Sequence, residues 1–239
     1  MNQDDFYNQV ESEAFFRRAL SGYSPEEVVE TGEIRKNKGS IIRFIEPLMV
    51  LEKKTVLEVG CAVGDLLFFL RSNYGCDVFG VEPSPSASEI GNSVFAVNVF
   101  QSTFIRSPFF ELSESNRAKF DLIVLDDVVG WMSPGVLLPT LGALDWSLKP
   151  GGSIFIRELF SPFPYKVRNR HYPDEQIFQH RYAHGVGSFF LDTGCYSVSG
   201  SREYATGDLQ AFETDRVHQL WRDSLLEKSE NNFFPSVEI

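Results

Sequence analysis

A chain of 239 residues, 43% hydrophobic and 23% charged, has the composition of an ordinary globule long enough for one sizeable α/β domain with an appendage. A formal charge of −11 would repel a polyanion, which argues against DNA or RNA as a partner. No apolar run is long enough to cross a bilayer, the first residues lack a basic-then-apolar leader, and Cys61, Cys76 and Cys195 fall at no metal-ligand spacing. The expectation is a cytoplasmic protein with reduced thiols, no membrane contact and no metal site.

Residues 1 to 20 carry Phe6, Tyr7, Val10, Ala14, Phe15 and Leu20 as a helix-like stripe that would pack on the main domain. Ser24-Pro25-Glu26-Glu27 then supplies a cap, a proline at the first helical position and a capping-box glutamate, and Thr31-Gly32 ends that short helix. Glu33 to Met49 sets Ile34, Ile41, Ile42, Ile45 and Leu48 at helical spacing. Arg35, Lys36 and Lys38 fall on its polar side and read as a solvated basic face. Thr55 to Val59 reads as a buried parallel strand closed by Gly60. A helix with Leu66, Leu67, Phe69 and Leu70 follows, and then a second strand, Val78 to Val81, which ends in Glu82. A strand, glycine turn, helix and strand with a carboxylate at the second strand's tip is a unit that binds a nucleoside at the carboxyl edge of a sheet. A dinucleotide fingerprint would need glycines at 60, 62 and 65, and position 65 is Asp65.

Pro83 and Pro85 break the chain before a short helix, Ser86 to Gly91, and the valines at 94, 97 and 99 predict a third strand over Ser93 to Phe100. Phe120 to Leu125 is a continuous apolar strand that ends in Asp126-Asp127. Pro134 to Leu148 reads as a returning helix, and the turn Leu148-Lys149-Pro150-Gly151-Gly152 feeds another apolar strand. Ser161 to Tyr165, with two prolines, is a loop. Phe212 to Leu226 reads as a final amphipathic helix, and Asn231 to Ile239 as a last strand or a loose tail. No repeat or linker interrupts the chain. The expected organisation is one domain over 1–239, with a helical cap at 1–50, a core at 51–160, and a substrate loop with the last strand and helix at 161–239.

Glu58, Gly60, Ala62 and Gly64 resemble the first motif of the class I S-adenosylmethionine-dependent methyltransferases, acid-x-Gly-x-Gly-x-Gly, with alanine at the middle glycine. The strand ending in Asp126-Asp127 and the Leu-Lys-Pro-Gly-Gly turn resemble later motifs of that family, in the same order. The resemblance implies an α/β fold with a doubly wound, mostly parallel Rossmann-like sheet of about seven strands, helices on both faces and an N-terminal helical lid. It implies S-adenosylmethionine as cofactor and S-adenosylhomocysteine as product. Glu58, Gly60, Cys61, Ala62 and Gly64 would then form the cofactor loop. Glu82, with Pro83, would take the ribose hydroxyls, and Ser102 and Thr103 would stand near the adenine where relatives carry an acid. Asp126 and Asp127 would face the transferable methyl, and a lid lysine or arginine could pair with the methionine carboxylate.

Relatives place a histidine after the fourth strand and Glu-His a few residues on, whereas this chain has Asp127 and then Gly130-Trp131, so no acceptor is carried over. Asp126 and Asp127 could in principle hold magnesium, but further ligands at readable spacing are missing and no metal is assigned. Candidate bases are His171, His180 and His184, with Asp127 as the alternative. Lys166, Arg168, Arg170 and His171, interleaved with Tyr165 and Tyr172, read either as a site for a small anionic or sugar-like molecule or as a solvated charged loop. The expected activity is methylation of a small molecule, on oxygen, with a sugar or secondary metabolite as acceptor. The alternatives are a catalytically silent protein that binds S-adenosylmethionine or S-adenosylhomocysteine, and another transferase of the same cofactor fold. Oligomeric state stays open, a homodimer being one option.

Overall fold

The computed structural model describes residues 3–169, 171–172, 174–205 and 220–230. Gln3–Phe6 (α1) and Ser12–Ala19 (α2) are joined by a π-helical turn, Tyr7–Glu11, and the backbone stays helical through both junctions. The extra residue of that turn rotates the expected stripe, so that Phe6 is buried while Val10 and Phe15 are exposed. Ser24 caps Pro25–Thr31 (α3) by accepting the Glu27 N–H, and Gly32 closes the helix in the left-handed conformation, as the sequence indicates. Lys36–Ile45 (α4) buries Ile41, Ile42, Phe44 and Ile45.

Thr55–Val59 (β1), Asp65–Tyr74 (α5), Asp77–Glu82 (β2), Pro85–Ser93 (α6) and Asn98–Gln101 (β3) follow in the expected alternation. The third strand is shorter than predicted. Val94 is still in helical backbone and Ala96 turns the chain at φ 52°, so residues 93–97 are spent on the corner. Phe120–Asp126 (β4), Pro134–Ser147 (α7) and Leu148–Leu159 (β5) complete a parallel run in the order β3-β2-β1-β4-β5. Tyr165–Arg168 (β6) and Phe178–Arg181 (β7) form a separate antiparallel hairpin, and Gly187–Leu191 (α8) leads into Tyr196–Ala205 (β8).

The predicted C-terminal helix is corrected. Leu220–Lys228 is a strand (β9) that inserts antiparallel between β5 and β8, making a seven-stranded sheet. Four successive residues, Asp223 to Leu226, are buried there. A strand covered on both faces loses alternation, which is why its apolar positions read equally well as a helix. Residues 212–219 and the tail at 231–239 lie outside the described residues.

Alternate residues of the sheet feed two cores. Val56, Leu122, Val124, Phe155 and Leu225 pack with α4, α5 and α6, whereas Leu57, Val59, Ile123, Leu125, Ile154 and Ile156 pack with α7 and α8.

Gly64, at φ 78°, is the corner where β1 turns into α5, and a Cβ there would stand 2.8 Å from Val97 Cγ2. Left-handed backbone strains an L side chain and the valine leaves no room. Gly64→Ala is therefore expected to cost on the order of 2 kcal/mol of stability in a urea titration. Adding Val97→Ala should return only the steric share; a Gly64→Ala protein as stable as the parent would contradict the packing.

Candidate functional site

The strand order reverses between β1 and β4, and open α/β sheets bind ligands at such a switch, outside the carboxyl ends of the strands. A cavity of about 540 Å³ opens there. Its floor is made of Gly60, Ala62, Glu82, Pro83, Ser102, Thr103, Asp126 and Asp127, all residues that the sequence singles out. Tyr7, Asn8, Glu11 and Phe15 from the N-terminal helical segment form one wall, and Trp131, Tyr204 and Trp221 also face it.

Gly60 and Ala62 both take positive φ, 71° and 50°, so the loop presents peptide and one methyl group. Glu82 faces the cavity from the end of β2, its carboxylate accepting the Ala62 N–H at 2.9 Å and the Ser84 N–H at 2.8 Å. Burial lifts its pKa to about 7, and the two N–H groups hold back part of that rise. Thr103 Oγ1 is buried with no hydrogen-bond partner among the described residues.

Glu58, Cys61 and Gly64 stand behind this surface and do not line it. Cys61 is buried, and burial raises its thiol well above the ordinary range. It packs on Gly80 of β2, where a Cβ would lie 2.6 Å from its Sγ, so its place in the loop is steric.

The floor of the cavity rests on a largely buried row of charges that the sequence did not disclose, and Arg35, Lys38, Asp126 and Arg157 of it also line the cavity. The strand registers place Asp126 beside Arg157, Arg157 beside Asp223 and Asp223 beside Arg202, alternating sign across β4, β5, β9 and β8. Arg157 grips Asp223 with two bonds of 2.8 and 3.0 Å, and the Tyr204 hydroxyl donates to the same carboxylate at 3.0 Å. Lys38, only 3% exposed, reaches down from α4 to Glu58 at 2.5 Å and Asp126 at 2.8 Å. Arg35 pairs doubly with the fully buried Asp65 at 2.6 and 2.8 Å. The reading of Arg35 and Lys38 as a solvated basic face is thus corrected: the residues line the crevice because carboxylates in β1, β4 and α5 call for partners there. Nearby cations hold the carboxyls of Asp126 and Asp65 below their usual range against burial. Burial pushes Glu58 up to about 7 despite Lys38.

Asp127 follows β4 at φ 55°, a left-handed conformation that aspartate, like asparagine, tolerates better than most residues other than glycine. Its N–H donates to Arg157 O at 2.9 Å, which fixes the turn. Burial first, and then the adjacent Asp126 charge, lift its pKa to about 7, while Arg181, Arg157 and Lys38 pull it down. Asp126 and Asp127 thus differ: the first is a paired carboxylate and the second is poised near neutrality.

None of the three candidate histidines lines the cavity. His171 is exposed in the segment that connects β6 to β7. His180 stacks on Tyr182 at 6.1 Å, and burial together with Lys166 lowers its pKa. His184 forms a turn at φ 59° and donates its N–H to Ser161 O. Of the basic cluster, Lys166, Arg168 and His171 likewise do not line the cavity, Lys166 lying over the Phe178 ring at 4.0 Å, and Arg170 is outside the described residues. Among the described residues, no group of three or more His, Cys, Asp or Glu side chains is arranged to hold a metal ion, and no helix is long and apolar enough to cross a membrane.

A family model described as a methyltransferase domain matches residues 33–196. Among curated proteins, an uncharacterized protein of Rickettsia prowazekii (strain Madrid E) is 32% identical over 108 residues, 44% of this chain and 43% of that protein. The match spans less than half the length of that relative. Among solved structures, the 1,6-didemethyltoxoflavin-N1-methyltransferase of Burkholderia thailandensis, with bound S-adenosylhomocysteine, is similar in fold. That similarity has a TM-score of 0.60 at 15% identity and covers 95% of this chain and 87% of the other. The N-methyltransferase NodS of Bradyrhizobium japonicum, also with S-adenosylhomocysteine, matches with a TM-score of 0.56 at 14% identity over 91% and 98% of the two chains.

Proposed function

The chain belongs to the class I S-adenosylmethionine-dependent methyltransferases, and from that premise we propose that it methylates a hydroxyl oxygen of a small molecule held between Asp127 and the N-terminal helical segment. S-adenosylmethionine is the cofactor, and when bound it supplies a methyl group already activated by its sulfonium. The chain's own residues then have to hold the acceptor in line, exclude water and take a proton.

The cavity fits the cofactor in size and in donor chemistry. The peptide of Gly60 and Ala62 is open to close approach, the Glu82 carboxylate suits two vicinal hydroxyls, and the unpartnered Thr103 Oγ1 can accept from an exocyclic amine where relatives use an acid. Arg35 and Lys38 line the cavity as cations suited to an α-carboxylate, although both already have anionic partners.

One observation carries the assignment of the base. Among the acids lining the cavity, Asp126 is salt-bridged, Glu11 is paired with Arg18, Asp4 accepts from the Ser133 hydroxyl and Glu82 accepts two backbone N–H groups. Asp127 alone has no side-chain bond or ion pair among the described residues, and its pKa of about 7 is matched to accepting a hydroxyl proton near neutrality. The histidine pool gives way to this residue because the histidines are elsewhere. The aromatic groups of Tyr7, Trp131 and Trp221 suit a flat or ring-shaped acceptor.

A nitrogen acceptor is the second reading, favoured by the two solved neighbours, both N-methyltransferases. Release of S-adenosylhomocysteine, measured across panels of phenols, sugars, hydroxy acids and amines, separates the two. Turnover confined to hydroxyl compounds is expected; turnover confined to amines, or silence across all panels, would overturn the oxygen assignment.

A further inference from the structure

The acid at the end of β2 is held by a chain of hydrogen bonds that starts on another element. Glu13, in α2, spans two hydroxyls with its carboxylate: Ser84 Oγ donates to Oε2 at 2.7 Å and Ser86 Oγ to Oε1 at 2.6 Å, with the Ser86 N–H at 3.4 Å from Oε2. Ser84 is fully buried, and its hydroxyl and its N–H each make a further bond. Its hydroxyl accepts the Ala87 N–H at 3.2 Å and so caps α6, and its own N–H donates to Glu82 Oε1 at 2.8 Å. The other Glu82 oxygen takes the Ala62 N–H of the glycine loop. One continuous path therefore runs from α2 through Ser84 and Glu82 to the loop after β1.

We propose that Glu13 and Ser84 are cofactor-positioning residues, which tie the seating of the N-terminal helical segment to the orientation of the Glu82 carboxylate. This rests on the reading that Glu82 receives the ribose.

Three features support it. The segment that carries Glu13 also supplies Tyr7, Asn8, Glu11 and Phe15 to the cavity wall, so its seating and the occupancy of the crevice involve the same space. Its other side-chain anchors go elsewhere, Gln3 and Tyr7 to Phe178, Asp4 to Ser133, Asp5 to Arg106 and Glu11 to Asn169, so that among the described residues Glu13 is the tie to the turn that follows the ribose acid. The two serine hydroxyls keep the Glu13 carboxyl below its usual range against the effect of burial, and a carboxylate facing the first turn of the nine-residue α6 is favoured by the helix dipole. The tie is thus charged and intact at neutral pH.

The test uses calorimetry on the full chain with S-adenosylhomocysteine and with its 2′,3′-dideoxy analogue, which has no ribose hydroxyls. Glu13→Ala should weaken S-adenosylhomocysteine about tenfold, roughly the effect of one lost charge-assisted bond felt at second remove, and should change the dideoxy analogue by less than about twofold. Glu13→Gln, which keeps one acceptor oxygen, should fall between, and Ser84→Ala should follow Glu13→Ala. Equal losses on both ligands would mean a general role in the wall or the fold and would overturn the proposal. So would parental affinity in Glu13→Ala. Glu82→Gln separates the two readings. If it leaves S-adenosylhomocysteine affinity intact, the ribose reading falls and the proposal with it. If it weakens binding while Glu13→Ala does not, the ribose reading stands and the tie is refuted. Unfolding midpoints without ligand guard against a misfolded variant, and Glu13→Gln, which is nearly isosteric, keeps the comparison decisive if the alanine protein does not fold.

Discussion

Replacing Lys38 with methionine is expected to cost about 3–5 kcal/mol of stability at pH 8 and considerably less at pH 5.5. The side chain fits either way; what disappears is the one cation shared by Glu58 and Asp126 in a place where Glu58 is wholly buried. An uncompensated buried carboxylate is far costlier than a missing pair, because its desolvation is no longer offset. The pH dependence follows from Glu58. Its folded pKa, already about 7, is above the unfolded value and rises further without the lysine, so the variant's native state binds a proton that the unfolded chain does not. The penalty is therefore largest above the folded pKa and shrinks as pH falls toward the unfolded one. Glu58→Gln in the same chain should recover most of the loss, a coupling that urea titrations of the two single variants and the double variant would measure. A loss below about 1 kcal/mol, or one independent of pH, would show that the row of charges is hydrated in solution.

Asp127→Asn should lower kcat about 10²- to 10⁴-fold with an acceptor found by the panel, while S-adenosylhomocysteine binds nearly as before. The amide keeps the shape of the side chain and cannot take the proton. For the parent, kcat/KM should fall about tenfold per pH unit below about 7, where Asp127 is protonated in the free enzyme. The same substitution should stabilise the protein at high pH. A carboxyl whose folded pKa is raised contributes fully below its unfolded pKa, and that contribution is lost as pH rises through the folded value of about 7. Asparagine removes this loss, for a gain on the order of 2 kcal/mol at pH 8 once the water in the cavity is allowed for, and almost none at pH 4. A variant with retained activity would rule Asp127 out as the base; one that is less stable at pH 8 would mean that the carboxylate is well solvated.

The strand-turn-helix-strand unit that brings Gly60, Ala62 and Glu82 to the cavity was legible because it is local. Glu58, Gly60, Ala62, Gly64 and Glu82 lie within one strand-turn-helix-strand unit, and the backbone needs of that unit leave few residue types for the turn. The loop-and-strand pattern around Asp126-Asp127 could be read for the same reason. The partners of these residues could not be read. Arg157 meets Asp223 only because β9 slots in beside β5, a register set across 66 residues, and the sequence of β9 gave no alternation to reveal a strand. With that strand taken for a helix, Trp221 had no reason to face the crevice and Asp223 had none to be buried. Lys38 is a similar case. Helical spacing located α4, but whether its lysine meets water or carboxylates depends on which face of the sheet it covers. The histidines misled by their chemistry, since suitability as a base does not bring a side chain to the cavity. Burial and a neighbouring acid give Asp127 the same aptitude at a position that lines the cavity.

The most direct measurement is a crystal structure of the protein with S-adenosylhomocysteine. The expected result has both ribose hydroxyls within about 2.7 Å of the Glu82 carboxylate and the homocysteine sulfur on the Asp127 side of the crevice. A nucleoside bound elsewhere, or a ribose turned away from Glu82 with the loop from Gly60 to Gly64 out of contact, would contradict it.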